Sequence, residues 1–378
     1  MIRLVQDTID DKDIAELISW LKTKPRLTKG ELTEEFERQW SEWLGVRYSI
    51  FVNSGSSANL SIFTALKYLG RINGNVVAPA VSWATTVAPL MQLGFNVTLC
   101  ECDRDTLGLD VKHLRQICEE KRPSLVVLVH VLGVPCNMDE ILSICNEYGA
   151  ILVEDSCESV GSVYNGKTTG TFGVASSFSF YAGHVISTIE GGMICTDDDE
   201  LHETIKSIRC HGWDRDLSDE CKLNLRNEHC IDDFRALYTF YWQAYNFRPT
   251  DLQAHIGLSQ MKKIDYICKK RHSNLLLYDK LIQNDYWKLP IRQYISNFAY
   301  PIITPKIKEV VDALVLNNIE TRPLVCGSIG RQPFWIKEHR EERLAFADMV
   351  HDYGLYVPNN HQITEEEITK VCEVINGV

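Results

Sequence analysis

A mainly parallel α/β sheet flanked by helices, followed by a smaller α+β unit, is the fold class this 378-residue sequence predicts. Three observations predict it. Short apolar runs alternate with helical patterns over the first two thirds of the chain, the signature of βαβ units. Several of those runs are continuous Val, Ile and Leu, as in strands covered on both faces. With 45% hydrophobic and 24% charged residues, the chain can also bury a large core without a disulfide or metal staple.

Taken in order, residues 11–22 are periodic and stop before Pro25, which reads as a helix. Thr33 precedes Phe36, Trp40, Trp43 and Leu44 and reads as the cap of a second helix, ended by Gly45. Seven strands are expected at 49–52, 76–78, 97–100, 125–129, 151–154, 176–180 and 193–195. Helices are expected between them at 57–69, 85–93, 111–120 and 138–148, with right-handed crossovers. Residues 212–250 are polar, aromatic and irregular, and such a segment inside a compact domain is more often functional than idle. Residues 251–279 read as helical again. The expected boundary near 260 leaves a large α/β domain over 1–260 and a smaller α+β domain over 261–378.

Thirty-nine basic residues against 51 acidic ones give a net charge of -12, which argues against a broad nucleic-acid surface. No apolar stretch is long enough for a membrane span, and Met1–Asp7 lacks the apolar core of a signal peptide. The 13 cysteines are scattered without a CxxC pair, so reduced and mostly buried thiols in a cytoplasmic protein are expected, with no metal site.

Three motifs carry chemistry. Asn53-Ser54-Gly55-Ser56-Ser57-Ala58-Asn59 follows a strand and opens a helix, an arrangement suited to a phosphate because helix N–H groups and hydroxyls converge there. Ile151-Leu152-Val153-Glu154-Asp155 ends a strand in two acids, and ligands of open α/β sheets bind at such ends. Asp155 is thus a candidate to hold a cationic ring nitrogen. In Ser177-Phe178-Ser179-Phe180-Tyr181-Ala182-Gly183-His184, a strand end leads to a histidine, and Gly191-Gly192 turns the chain into the next strand.

In this order and spacing, the motifs resemble those of the DegT-type sugar aminotransferases, vitamin-B6 enzymes of the aspartate aminotransferase architecture (fold type I). The resemblance spans the chain from Leu27-Thr28-Lys29-Gly30 to the C-terminal domain. It implies that Gly55, Ser56, Ser57 and Ser179 hold the phosphate of pyridoxal 5′-phosphate (PLP), and that Asp155 pairs with its pyridinium nitrogen. Trp83 would stack on the ring and Glu158, where the family usually has Gln, would lie beside it. Asn246, in Tyr245-Asn246-Phe247-Arg248, would reach the phosphate of the neighbouring subunit, which implies a homodimer with shared sites and usual twofold symmetry.

The departure is at His184, where that family keeps the lysine that tethers the cofactor. The nearest lysines in sequence, Lys167 and Lys206, lie outside the motif. Imidazole cannot form that tether, yet it can act as a base with an ordinary pKa of ~6.5. Tyr181-Ala182-Gly183-His184, Ser187-Thr188-Ile189-Glu190-Gly191-Gly192-Met193 and Arg209-Cys210-His211-Gly212-Trp213-Asp214-Arg215 look like those of the histidine-bearing sugar 3-dehydratases within the family. That likeness implies a lyase using L-glutamate to convert PLP to pyridoxamine 5′-phosphate (PMP). It would then remove the C3 hydroxyl of a nucleotide-linked 4-keto-6-deoxy sugar, GDP-4-keto-6-deoxymannose first, giving ammonia and a precursor of 3,6-dideoxy sugars such as colitose.

Lys29, His211, Arg215 and Arg322 are the candidate substrate contacts, Arg322 because a guanidinium fork suits a carboxylate or diphosphate. Glu190 is a candidate to orient His184. A related subgroup also has His there and carries an iron–sulfur cluster, but Cys210, Cys221, Cys230 and Cys268 do not reproduce its CxC-containing pattern, so no cluster is expected. A sugar aminotransferase recruiting another lysine and a non-catalytic cofactor-binding regulator are the alternatives.

Overall fold

The computed structural model describes residues 1–283 and 288–378. Its strands in chain order are β1 (Tyr48–Val52), β2 (Asn75–Pro79), β3 (Asn96–Cys100), β4 (Leu125–Val129), β5 (Ile151–Asp155), β6 (Val163–Tyr164), β7 (Lys167–Thr168), β8 (Ala175–Ser179) and β9 (Gly192–Thr196). Seven of them form one sheet in the order β1-β9-β8-β5-β4-β2-β3, while β6 and β7 make a separate hairpin. The sheet is parallel except at β9, which runs antiparallel to both β1 and β8. The seven expected strands are these seven, each within one residue at either end.

Continuous apolar runs make sense in this sheet because both faces are covered. Val76, Ala78, Val127, Val129 and Val153 enter one core, and their neighbours Val77, Val126, Leu128 and Leu152 enter another. The helices that cover it are α1 (Asp11–Lys22), α2 (Glu31–Leu44), α3 (Gly55–Tyr68), α4 (Ala84–Gln92), α5 (Val111–Lys121), α6 (Met138–Tyr148) and α7 (Asp199–Arg209). They are followed by α8 (Asp219–Glu228), α9 (Asp233–Ala236), α10 (Asp251–Met261) and α11 (Ile264–Leu281).

Three local expectations need correction. Thr33 does not cap α2; the N-cap is Gly30, and the Asp251 carboxylate accepts from Gly30 N at 2.7 Å and Thr33 N at 3.0 Å. The span 251–279 is two helices, α10 and α11, broken at Lys262–Lys263. The span 212–250 is not wholly irregular, since α8 and α9 form there, capped by Ser218 and Asp232.

The rest of the chain contributes β10 (Tyr300–Ile303), β11 (Arg322–Pro323) and β12 (Gly354–Val357) in an antiparallel sheet ordered β10-β12-β11. Its helices are α12 (Ile307–Leu316), α13 (Pro333–Ile336), α14 (Ala345–Tyr353) and α15 (Glu365–Asn376). Helix α11 joins two cores. Ile264, Ile267 and Cys268 pack with Trp40, Phe178 and Phe180, whereas Leu275 and Tyr278 pack with β10, β12 and α15. All 13 cysteines are free and nine are buried. Among the described residues, no cluster of three or more His, Cys, Asp or Glu could hold a metal, and no helix is long and apolar enough to cross a membrane.

Candidate active site

The C-terminal ends of β1, β4, β5 and β8 open on one side of the sheet, where open α/β sheets place their ligands. A cavity of about 420 Å³ lies there, lined among others by Gly55, Ser56, Trp83, Asp155, Glu158, Ser179 and His184. Seven of the nine residues proposed for catalysis and cofactor binding therefore share one cavity; Ser57 and Asn246 are not among its lining residues.

The phosphate loop is built by close backbone packing. Ser54 caps α3, its hydroxyl accepting from Ser57 N at 3.1 Å. The Ser57 hydroxyl donates to Asn53 Oδ1 at 2.5 Å, so this side chain braces the loop instead of facing the cavity. Ser56 stays exposed, 2.8 Å from Thr85 Oγ1. Gly55 has no alternative: a Cβ there would sit 2.8 Å from Ser179 Cβ and 2.9 Å from Cys157 Sγ. Gly192 is equally constrained, because its Cβ would meet the Ser54 carbonyl at 2.3 Å.

Asp155 is 5% exposed at the end of β5. Its Oδ2 accepts from Asn59 Nδ2 and Thr86 Oγ1, both at 2.8 Å, and its Oδ1 accepts from Cys157 N at 3.2 Å. Lone pairs remain on the carboxylate for a cationic donor. Asn59 and Thr86 escaped the sequence reading. Asn59 stands in the phosphate-loop motif one helical turn from Gly55, a spacing that could have raised it. Thr86 had no such signal.

Trp83 is 59% exposed at the start of α4, so it is no core tryptophan. Glu158 Oε2 accepts from Leu132 N at 2.7 Å. Burial, opposed by that N–H and reinforced by Asp155, pushes its carboxyl up to about 7. His184 sits between Tyr181 and Phe298, with ring centroids 6.3 and 5.3 Å away. Its Nδ1 is buried without a partner. Burial first, then the charge of Arg271, pushes its pKa down to about 4, which corrects the ordinary value expected from the sequence. Glu190 lines the same cavity, but it makes no hydrogen bond to the imidazole.

The candidate substrate contacts lie elsewhere. Arg322 lines a second cavity of about 480 Å³ that shares Val5, Tyr181, Phe298 and Tyr356 with the first; Arg3, missed in the sequence, lines it too. Lys29 is paired with Asp216 at 3.1 Å and lines neither cavity. Arg215 stacks on Trp213 at 3.9 Å, and the ring of His211 packs edge-on against the same tryptophan. Asn246 is exposed and its Oδ1 accepts from Arg248 Nε at 3.0 Å. Within one chain these four residues stand outside the cavity.

The residues present suit PLP. A glycine cradle with hydroxyls opens a helix, a carboxylate with spare lone pairs points into the cavity, and an exposed indole borders it. None of the residues lining this cavity is a lysine.

Known proteins resemble this chain over nearly its whole length. A GDP-4-keto-6-deoxy-D-mannose 3-dehydratase of Yersinia pseudotuberculosis is 32% identical over 382 residues, covering 97% of this chain and 96% of that protein. The protein of the same name from Escherichia coli O55:H7 is 33% identical, covering 98% of both. A crystal structure of GDP-4-keto-6-deoxymannose-3-dehydratase with a trapped PLP-glutamate geminal diamine superimposes with a TM-score of 0.90 at 31% identity, over 99% of this chain and 100% of that one. The model of the DegT/DnrJ/EryC1/StrS aminotransferase family matches residues 7–376, and the chain belongs to that family.

Proposed function

We propose that this protein is a PLP- and PMP-dependent sugar 3-dehydratase. It takes nitrogen from L-glutamate and removes the C3 hydroxyl of a nucleotide-linked 4-keto-6-deoxy sugar, most directly GDP-4-keto-6-deoxymannose, giving the 3,6-dideoxy-4-keto sugar and ammonia. The observation that carries the reading is His184 in a cavity furnished for PLP but without any lysine lining it.

When bound, the cofactor supplies a conjugated ring that takes up the electrons of a neighbouring carbanion. Gly55, Ser56 and Ser179 hold its phosphate, with Ser57 bracing the loop. Asp155, fixed by Asn59 and Thr86, keeps a proton on the ring nitrogen. Trp83 covers one face of the ring. Glu158, poised near neutrality, exchanges a proton beside it. His184, neutral throughout the physiological range, accepts the proton at the C4′ carbon and can return one to the departing C3 oxygen. With no amine at hand to recapture the cofactor, the nitrogen is lost and not installed on the sugar.

The adjoining 480 Å³ cavity suits the nucleotide, since Arg3 and Arg322 offer two cations to a diphosphate. The second subunit is part of the same reading. Asn246 lies outside its own cavity, and Phe234, Tyr238 and Phe240 are 81%, 72% and 54% exposed in the segment leading to it, as befits a face that a second copy covers. Lys29, His211 and Arg215, on this flank, would act on the neighbour's site. Thirteen free cysteines suit the reducing cytoplasm.

The test is a nitrogen and mass balance. Purified protein with PLP, glutamate and GDP-4-keto-6-deoxymannose should yield 2-oxoglutarate, ammonia and a sugar lacking the C3 hydroxyl. Nitrogen retained on the sugar would make it an aminotransferase, and no conversion of PLP by glutamate would make it a cofactor-binding regulator. The CDP-linked sugar, run alongside, reports the nucleotide.

A further inference from the structure

Arg271, in the middle of α11, is 3% exposed and has no carboxylate partner among the described residues. Its guanidinium donates only to main-chain carbonyls: Asn359 at 2.6 Å, Phe298 at 2.8 Å, and Asn297 and His184 at 3.4 Å. Its Nε is buried with no partner at all. A buried cation without a counter-ion is costly to keep. Arg209 shows the usual solution in the same molecule: equally buried, it is paired with Glu37 and Asp216.

The unpaired charge acts on two buried imidazoles, His361 and, in the cavity, His184. Arg271 meets the His184 segment from α11, and Asp155 faces it from β5 with the opposite sign. Glu158, Glu190 and the phenols of Tyr181 and Tyr356 line the same cavity, and the Cys157 main chain bonds the imidazole and favours its protonated form, while Nδ1 stays buried without a partner. The carbonyls that Arg271 holds belong to His184 itself, to Phe298 whose ring packs on the imidazole, and to Asn359, whose side chain donates back to Arg271 O at 3.1 Å and Asn297 O at 3.0 Å. One side chain thus ties α11, the His184 loop and the cavity wall together.

We propose that Arg271 is the positioning residue of His184: its carbonyl bonds hold that ring against Phe298, and its charge, with no counter-ion, adds to burial in disfavouring the imidazolium. This rests on the reading of His184 as the base. Protonation of His184 sets a second buried cation near the first, so the imidazolium formed when it takes a proton is a readily spent acid. It gives that proton up readily, and the sugar oxygen that leaves with its bonding electron pair can accept it and depart as water.

The experiment follows the His184 ring by NMR in the full-length, histidine-labelled protein, with and without PLP, using His184→Asn to assign the signal. In the unaltered protein the ring should titrate near pH 4, in line with its burial beside Arg271. In Arg271→Gln the midpoint should rise by about one pH unit or more, as expected when a neighbouring like charge is removed. The acid limb of the rate profile should move with it. Arg271→Lys keeps a cation and should hold both low.

An unchanged His184 midpoint in Arg271→Gln overturns the proposal, even if turnover falls uniformly. If the Gln variant does not fold, Arg271→Met takes its place: a raised midpoint supports the proposal, and an unchanged one, with burial alone holding the ring down, overturns it. Failure of the glutamate reaction would leave the titration untouched, so the two readings fail separately.

Discussion

Asn59 donates to Asp155 Oδ2 at 2.8 Å and accepts from the Ser177 hydroxyl at 2.6 Å, so one amide from α3 fixes the acid of β5 to the neighbouring β8. Changing Asn59 to Ala leaves both partners short of a hydrogen bond in a buried place and should cost about 1–3 kcal/mol, read as a lower urea midpoint. Changing it to Asp sets a second carboxylate against the first. One of the two must then take a proton, and PLP affinity should fall about tenfold or more, the effect of some 1.4 kcal/mol. Unchanged PLP titrations in Asn59→Asp would separate Asp155 from cofactor binding.

His184→Asn should bind PLP nearly as before while slowing turnover by roughly 10²–10⁴, the usual contribution of a general base. His184→Lys should restore a covalent tether, visible as borohydride-stable label on the protein, and stop dehydration. Full activity in the Asn variant would remove His184 from the chemistry.

Glu158 carries a carboxyl pushed up to about 7, mainly by burial. The absorbance of bound cofactor should therefore change with a midpoint near neutrality. Glu158→Gln, a permanent mimic of the protonated acid, should abolish that step and retain the cofactor. Persistence of the same midpoint in the Gln variant would assign it to another group.

Acid should destabilise the fold well above the carboxylate range. Burial is the main reason that His184, His202 and His361 are each held down to about 4. The unfolded chain binds protons on all three from about pH 6.5 downward, while the folded chain does not. The contribution of these three rings is thus fully present above about 6.5 and is lost as pH falls from there toward 4, whereas His130, raised to about 9, and Glu158, raised to about 7, add stability as pH falls through neutrality. Urea midpoints should decline from pH 6 to pH 5, where the three depressed rings outweigh the raised groups, and His361→Gln should flatten the decline. A flat series would show that these rings titrate normally.

Asp251 lies 5% exposed at the start of α10 and caps α2 from a distance in sequence of 218 residues, through Thr33 N and its hydroxyl. Asp251→Ala should cost about 1–2 kcal/mol, as for loss of a strong cap, measured by urea unfolding. Thr33→Ala should cost less, since the backbone donors keep their acceptor. The reverse order would return the capping role to Thr33.

What the sequence by itself determined is what near neighbours encode. Strand runs such as Leu125–Val129 announce themselves because both faces of the sheet are covered, so every position selects an apolar side chain. The chain order of Gly55, Asp155 and Ser179 was likewise legible, because each marks a strand end and strand ends of an open α/β sheet converge. Only the tertiary structure decided the rest. Asp251 displaced Thr33 as a cap because an acceptor arriving from another helix competes on equal terms with a local one. His184 lost its ordinary basicity through burial and the cation of Arg271, 87 residues away in sequence. Low-dielectric neighbours of that kind have no periodicity and no spacing to betray them; their effect depends on distance in space, which folding alone sets.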